Sequence, residues 1–137
     1  MKATFTPYQV SPGEEYMSKK QLGHFQQILL QQKNNLIIEV ERTVRHLQDE
    51  ALIFSDPNDQ ASQEAEFSIE LRTMDRERKL IKKIDKVIKT IDSGNYGFCV
   101  SCGAEIGLRR LEARPAATLC IDCKTREESQ EKFYISR

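Results

Sequence analysis

The chain has 137 residues, with 21 basic and 21 acidic side chains, a formal net charge of zero, 39% hydrophobic residues, 31% charged residues and no tryptophan. That length allows one compact domain or a small domain with an extended appendage, and so thin an apolar fraction favours long, solvent-exposed helices over a thick core. Balanced charge argues against simple non-specific nucleic-acid binding, and no apolar run approaches the roughly 18 residues of a membrane-spanning helix, so a soluble protein is expected.

Residues 1–17 carry Pro7, Pro12 and Gly13 among the aromatics Phe5, Tyr8 and Tyr16. Proline breaks regular structure, so this stretch reads as an extended arm whose aromatics pack onto the folded part. Met1 to Pro7 lacks the apolar segment of a signal peptide, and a reducing, cytoplasmic setting is expected.

Ser18, with Gln21 three residues on, forms a capping box that opens the first helix. Leu22, Phe25, Leu29, Leu36, Val40, Val44 and Leu47 follow at helical spacing, and the helix is expected to run to about residue 53, roughly 50 Å at 1.5 Å per residue. Asp56-Pro57-Asn58-Asp59 is turn chemistry. A second helix is expected from Asn58 or Asp59 to about Asp92, with the stripe Phe67, Leu71, Met74, Ile81, Ile84, Ile88 and Ile91. Gly94 is placed to cap its end. Two long helices joined by a short turn lie antiparallel with their stripes facing. The fold class is therefore mainly α: a coiled-coil hairpin over 18–93, a four-cysteine module over 94–123 and a C-terminal helix over 124–137, beginning near Asp122.

The hairpin is polarised. Residues 49–70 hold seven acidic side chains and no Lys or Arg, whereas residues 76–89 hold seven basic and two acidic ones. Charge runs are commonly just solvated faces. On a long projecting element, an acidic tip above a basic flank also suits a partner with positive walls or a bound cation. Asp56 and Asp59 are sufficiently explained as turn former and helix cap, yet they also stand where a probe would enter a deep site.

All four cysteines fall in Cys99-Val-Ser-Cys102 and Cys120-Ile-Asp-Cys123, with 17 residues between the pairs. That spacing reads as a structural, four-thiolate zinc site. Two disulfides, or a redox pair with two spare thiols, are the competing readings. The expected reducing compartment weighs against the first, and the near absence of strand patterning against the second. Four thiolates would leave no open position for a catalytic water. Gly103 follows where a left-handed turn leads the chain off the metal. His24 and His46 read as surface or packing residues rather than ligands. No nucleophile–base set and no glycine-rich phosphate loop is present, so the chain is not read as an enzyme.

The combination closely resembles the DksA/TraR family over nearly the whole chain. The resemblance is carried by Pro12-Gly-Glu-Glu-Tyr-Met17, Phe54-Ser-Asp-Pro-Asn-Asp-Gln-Ala61, Arg76-Glu-Arg-Lys-Leu-Ile-Lys-Lys83 and Cys99 through Lys124, which includes Arg109-Arg-Leu-Glu-Ala-Arg-Pro115. It implies a cytoplasmic, monomeric regulator that binds bacterial RNA polymerase rather than DNA, with its coiled coil in the secondary channel. The tip residues would be Asp56, Asp59 and Ala61, acting near the catalytic magnesium. The polymerase-rim contact would be Arg76. The effector guanosine tetraphosphate (ppGpp) would meet Leu80, Lys83, Arg114 and Lys124, and zinc would sit on Cys99, Cys102, Cys120 and Cys123. The implied effect, exerted with ppGpp, is destabilised open promoter complexes, with ribosomal RNA promoters repressed and some amino-acid biosynthesis promoters activated.

Two other functions compete. Gre-like transcript-cleavage factors also present an acidic-tipped coiled coil, but lack this four-cysteine module. A zinc-dependent DNA-binding module should have basic zinc knuckles, whereas residues 95–108 carry no Lys or Arg.

Overall fold

In the computed structural model, residues 6–51 and 57–135 are described, and they form four helices: α1 (Lys19–Ala51), α2 (Pro57–Ser93), α3 (Leu108–Ala113) and α4 (Ile121–Ile135). Among the described residues there is no strand, only an isolated antiparallel bridge between Phe98 and Glu105. The chain divides into two compact units. One spans Leu30–Asp85, and the other joins the chain before Leu30 to the chain after Asp85.

The start of α1 follows its capping signal. Gln21 N–H donates to Ser18 Oγ at 3.3 Å and Leu22 N–H to the Ser18 carbonyl at 2.9 Å. The Gln21 side chain reaches one residue further back than a standard capping box, accepting from Met17 N–H at 2.7 Å. Gln21 is thereby satisfied although it is buried. At the other end, α1 is described to Ala51, and residues 52–56 lie outside the described residues.

α2 begins at Pro57, one residue before the expected start. Proline suits the first helical position because its missing N–H is one that a helix start leaves unpaired anyway. At the far end Gly94 has φ 79°, and the N–H groups of Asn95 and Tyr96 both donate to the Thr90 carbonyl, at 2.9 and 3.1 Å. A left-handed glycine thus closes the helix as expected.

In the Leu30–Asp85 unit, the antiparallel course of α1 and α2 shows in two cross-helix pairs. Lys33 Nζ lies 2.6 Å from Asp85 Oδ1, and His46 Nδ1 lies 3.2 Å from Glu70 Oε2. Residue numbers rise on α1 as they fall on α2. The fully buried apolar side chains of this unit are Met74 and Ile84 among those described; Leu36, Val40, Val44, Leu47, Phe67 and Ile81 are half-buried. Leu71, expected in the stripe, is 49% exposed. A two-helix ribbon covers only one narrow seam, so a residue at the edge of the stripe stays wet.

The other unit holds most of the buried core: Phe25, Ile28, Leu29, Val87, Ile91, Tyr96, Ile106 and Leu111. Here α1 and α2 bury the additional stripe residues Ile28 and Val87, because side chains of the cysteine module cover a wider face. The rings of Phe25 and Tyr96 lie 5.8 Å apart, and the Tyr96 hydroxyl donates to the Pro115 carbonyl at 2.8 Å. Burial of Tyr96 pushes its phenol pKa well above the ordinary value.

The segment before α1 belongs to this unit, and polar contacts hold it. Glu14 accepts hydrogen bonds from the Tyr8 hydroxyl, from Ser18 Oγ at 2.7 Å and from Ser11 N–H at 3.0 Å. With the Tyr8 hydrogen bond contributing most, then Ser18 and Ser11, its carboxyl is drawn down to about 2. Tyr8 N–H and His24 Nε2 converge on Glu112 Oε1, at 2.8 and 2.7 Å. His24 packs beside the rings of Tyr8 and Phe25, with centroids 5.4 and 5.0 Å away.

Candidate functional site

The first cysteine pair lies on a tight knuckle. Gly103 N–H donates to the Cys99 carbonyl at 2.9 Å, and Cys99 N–H to the Ala104 carbonyl at 2.8 Å. Gly103 turns the chain with φ 76°, a left-handed conformation that side chains resist. The second pair leads into α4: Lys124 N–H donates to the Cys120 carbonyl at 2.9 Å, which places Cys123 in the first helical turn. Val100 N–H bonded to the Thr118 carbonyl at 2.9 Å, and Arg110 Nε bonded to the Leu119 carbonyl at 3.1 Å, join the two halves.

These elements bring Cys99, Cys102, Cys120 and Cys123 together, with all four sulfurs within 4.8 Å of one another. No disulfide links them. The Cys102 and Cys120 sulfurs are 3.7 Å apart. A tetrahedral zinc with bonds of about 2.3 Å demands sulfur–sulfur edges of about 3.8 Å, whereas a disulfide demands about 2.05 Å. The donor set therefore fits zinc. Cys99 and Cys120 are buried, Cys123 is half-buried and Cys102 is exposed. Backbone N–H groups of Cys102, then Cys120, draw the Cys99 thiol down to about 6. Hydrogen bonds with the thiols of Cys120, Cys102 and Cys99 push Cys123 up to about 12. Sulfurs this crowded cannot all ionise without a cation among them, which is what a four-thiolate metal site supplies.

Tyr16 ties the N-terminal segment to this centre. Its hydroxyl donates to the Gly97 carbonyl at 2.7 Å and accepts from Gly107 N–H at 3.0 Å. Its ring stands edge-on to Phe98, 5.5 Å between centroids. Gly97 has φ 89°, and a Cβ there would stand 2.9 Å from Met17 Cγ and Sδ and 3.0 Å from the Tyr16 hydroxyl. Sequence reasoning did not single out Gly97, Gly107 or Glu112. The only available signal was the glycine spacing around the cysteine pair.

The remaining sequence-predicted residues are spread over both units. Asp56 lies outside the described residues, and Asp59 and Ala61 fall in the first two turns of α2, their side chains outside the described set. Arg76 is exposed on α2, within 3.5 Å of Thr73 Oγ1. Leu80 and Lys83 are exposed, one turn apart on α2. Leu80 is 41% exposed, so core packing does not account for it. Arg114, exposed, follows α3; Lys124, half-buried, stands in α4 with its Nζ 3.6 Å from Glu127 Oε2. His46, read as a surface or packing residue, is instead a link: Nε2 lies 2.9 Å from Glu50 and Nδ1 3.2 Å from Glu70.

A helical hairpin joined to a four-cysteine, zinc-fitting module defines the class of protein. The family model for the DnaK suppressor protein DksA N-terminal domain matches residues 21–91, and that for the prokaryotic dksA/traR C4-type zinc finger matches residues 94–129. The chain belongs to the DksA/TraR family. It is 62% identical over 126 residues to the RNA polymerase-binding transcription factor DksA of Escherichia coli K12, covering 92% of this chain and 83% of that protein. Identity to the Haemophilus influenzae protein of the same name is 55% over 126 residues, covering 92% of this chain and 87% of that one. The solved structure of transcription factor DksA2 from Pseudomonas aeruginosa superposes with a TM-score of 0.78 at 41% identity, covering 85% of this chain and 90% of that one.

Proposed function

We propose that this chain is a non-catalytic regulator that binds bacterial RNA polymerase directly and holds one structural zinc ion. The observation that carries this reading is the 62% identity, over 92% of the chain, to a relative named for RNA polymerase binding. In this reading the hairpin enters the secondary channel, Arg76 meets the channel rim, and Asp56, Asp59 and Ala61 act at the tip. Leu80, Lys83, Arg114 and Lys124 contribute to a ppGpp site completed by the polymerase. The exposure of Arg76, Leu80, Lys83 and Arg114 supports such roles, since each is available to a partner. Cys99, Cys102, Cys120 and Cys123 hold zinc, which closes the module around them and does no chemistry. The outcome is shortened open-complex lifetime, strengthened by ppGpp, with ribosomal RNA promoters repressed and some amino-acid biosynthesis promoters activated.

The test is open-complex lifetime at a ribosomal RNA promoter, measured with purified polymerase and with no factor, this protein or its Asp59→Asn variant. Wild type shortening the lifetime, while Asp59→Asn binds the polymerase without doing so, is the expected result. Failure of the wild type to bind the polymerase refutes the reading. A parallel assay on backtracked complexes is expected to show no stimulated transcript cleavage.

A further inference from the structure

α3 and the chain on either side of it enclose an open groove of about 730 Å³. Its lining includes the aliphatic side chains of Ile106, Leu108 and Ile121 and the guanidinium-bearing residues Arg109, Arg110 and Arg114, against one carboxylate, Glu105. Among the described residues no carboxylate pairs with any of the three arginines; the one side-chain hydrogen bond they make is Arg110 Nε to the Leu119 carbonyl. Three unpaired guanidinium groups beside an aliphatic floor are a complementary surface without its complement. Guanidinium binds carboxylate through two parallel hydrogen bonds, and an aliphatic floor takes an aliphatic side chain.

The chemistry favours a peptide segment over a nucleotide. The lining offers a single aromatic ring, Tyr16. Its hydroxyl is committed to Gly97 and Gly107, and Phe98 stands edge-on to its ring. No pair of rings is available to sandwich a base.

We propose that this groove is a docking site for an acidic segment of RNA polymerase, one that places an aliphatic side chain on the floor and its carboxylates against Arg109, Arg110 and Arg114. The proposal rests on the polymerase-binding reading above and adds a contact to it. Arg114 is shared with the ppGpp site of that reading; Arg109 and Arg110 are not.

The test is photo-cross-linking of the full chain to purified polymerase. The photoreactive residue p-benzoylphenylalanine replaces Ala113 or, in a second variant, Glu105, both exposed and both in the lining. Polymerase binding of each variant is measured separately by co-elution. The expected result is one cross-linked polymerase segment rich in Asp or Glu. Arg109→Glu is expected to lower the cross-link yield about tenfold, the equivalent of one charge-assisted contact. Reversing an acidic residue of that segment to Lys is expected to restore the yield in the Arg109→Glu background. Variants that bind polymerase but cross-link nowhere, or only to segments without acidic residues, overturn the docking site and leave the polymerase reading standing. Unchanged yield in Arg109→Glu also overturns it, as does a groove that takes ppGpp instead, seen as lost nucleotide binding in that variant with no cross-link at either position. Wild type that does not bind polymerase overturns both.

Discussion

Gly97 is the position where the N-terminal segment and the cysteine module meet most tightly, and replacing it with alanine isolates that junction. Two costs add. A left-handed residue with a Cβ costs about 1 kcal/mol, and Gly97 has φ 89°. The new Cβ also stands 3.0 Å from the Tyr16 hydroxyl and 2.9 Å from Met17 Cγ and Sδ. Methionine bends away cheaply, but the Tyr16 hydroxyl is fixed by hydrogen bonds to Gly97 and Gly107. Displacing it loses two bonds at about 1 kcal/mol each. The unfolded chain loses some freedom as well, which returns about 0.5 kcal/mol. Gly97→Ala should therefore destabilise by about 2–3 kcal/mol. Gly94→Ala is the control: its φ is 79° and nothing lies within 4 Å of its Cβ position, so only the conformational cost of about 1 kcal/mol or less applies. All four tyrosines lie outside Leu30–Asp85, so urea unfolding followed by tyrosine fluorescence reports on the unit in question. Equal destabilisation by the two variants would refute the argument that Tyr16 is a fixed wall.

Three further outcomes are expected. Leu111, with no exposure, should cost about 2–5 kcal/mol when cut to alanine, read in the same tyrosine melts. Cys102→Ser should lower bound zinc below one equivalent by elemental analysis and shift the melt downward, since metal binding and folding are linked; full retention of zinc with an unchanged melt would contradict the four-thiolate site. His46 is held above its ordinary pKa, chiefly by its hydrogen bond to Glu70 and then by the charge of Glu50. A raised folded-state pKa gives stability that is fully present below the unfolded value near 6.5 and is lost as pH rises through the folded value. The His46 ring protons should therefore titrate above pH 6.5 by NMR, and His46→Gln should remove that part of the pH dependence.

The two long helices were legible because their signals are periodic and bounded: a capping serine, a proline turn and a terminal glycine. The cysteine cluster was legible because C-x-x-C spacing leaves a metal few alternatives. α3 was not anticipated. It has six residues, too few to show a period, although Gly107 before it and Pro115 after it bracket a run of helix formers. Leu71 was misplaced because spacing identifies a helix face but not how wide a face the neighbour covers. Glu112 and Gly97 were invisible for a different reason. Their roles depend on partners 88 and 81 residues away in sequence, His24 and Tyr16, and no local pattern encodes such pairs.

The hairpin unit raises the question of what sets its register. Its fully buried apolar residues, among those described, are Met74 and Ile84, both on α2. The α1 side of the seam is half-buried, and a smooth, half-wet seam discriminates weakly between neighbouring alignments. The cross-helix pairs supply discrimination. Lys33 with Asp85 and His46 with Glu70 sit at widely separated levels, and both pair opposite charges only in one alignment. Each is partly exposed and worth about 1 kcal/mol or less. A shift by one helical turn would break both pairs at once and move the Lys33 ammonium towards Lys82 or Lys89, the basic residues three before and four after Asp85. The same charges that do little for stability thus act mainly against wrong alignments. The charge reversal Asp85→Lys tests this directly: it should lower hairpin stability more than Asp85→Asn does, and Lys33→Glu in the same chain should recover the difference.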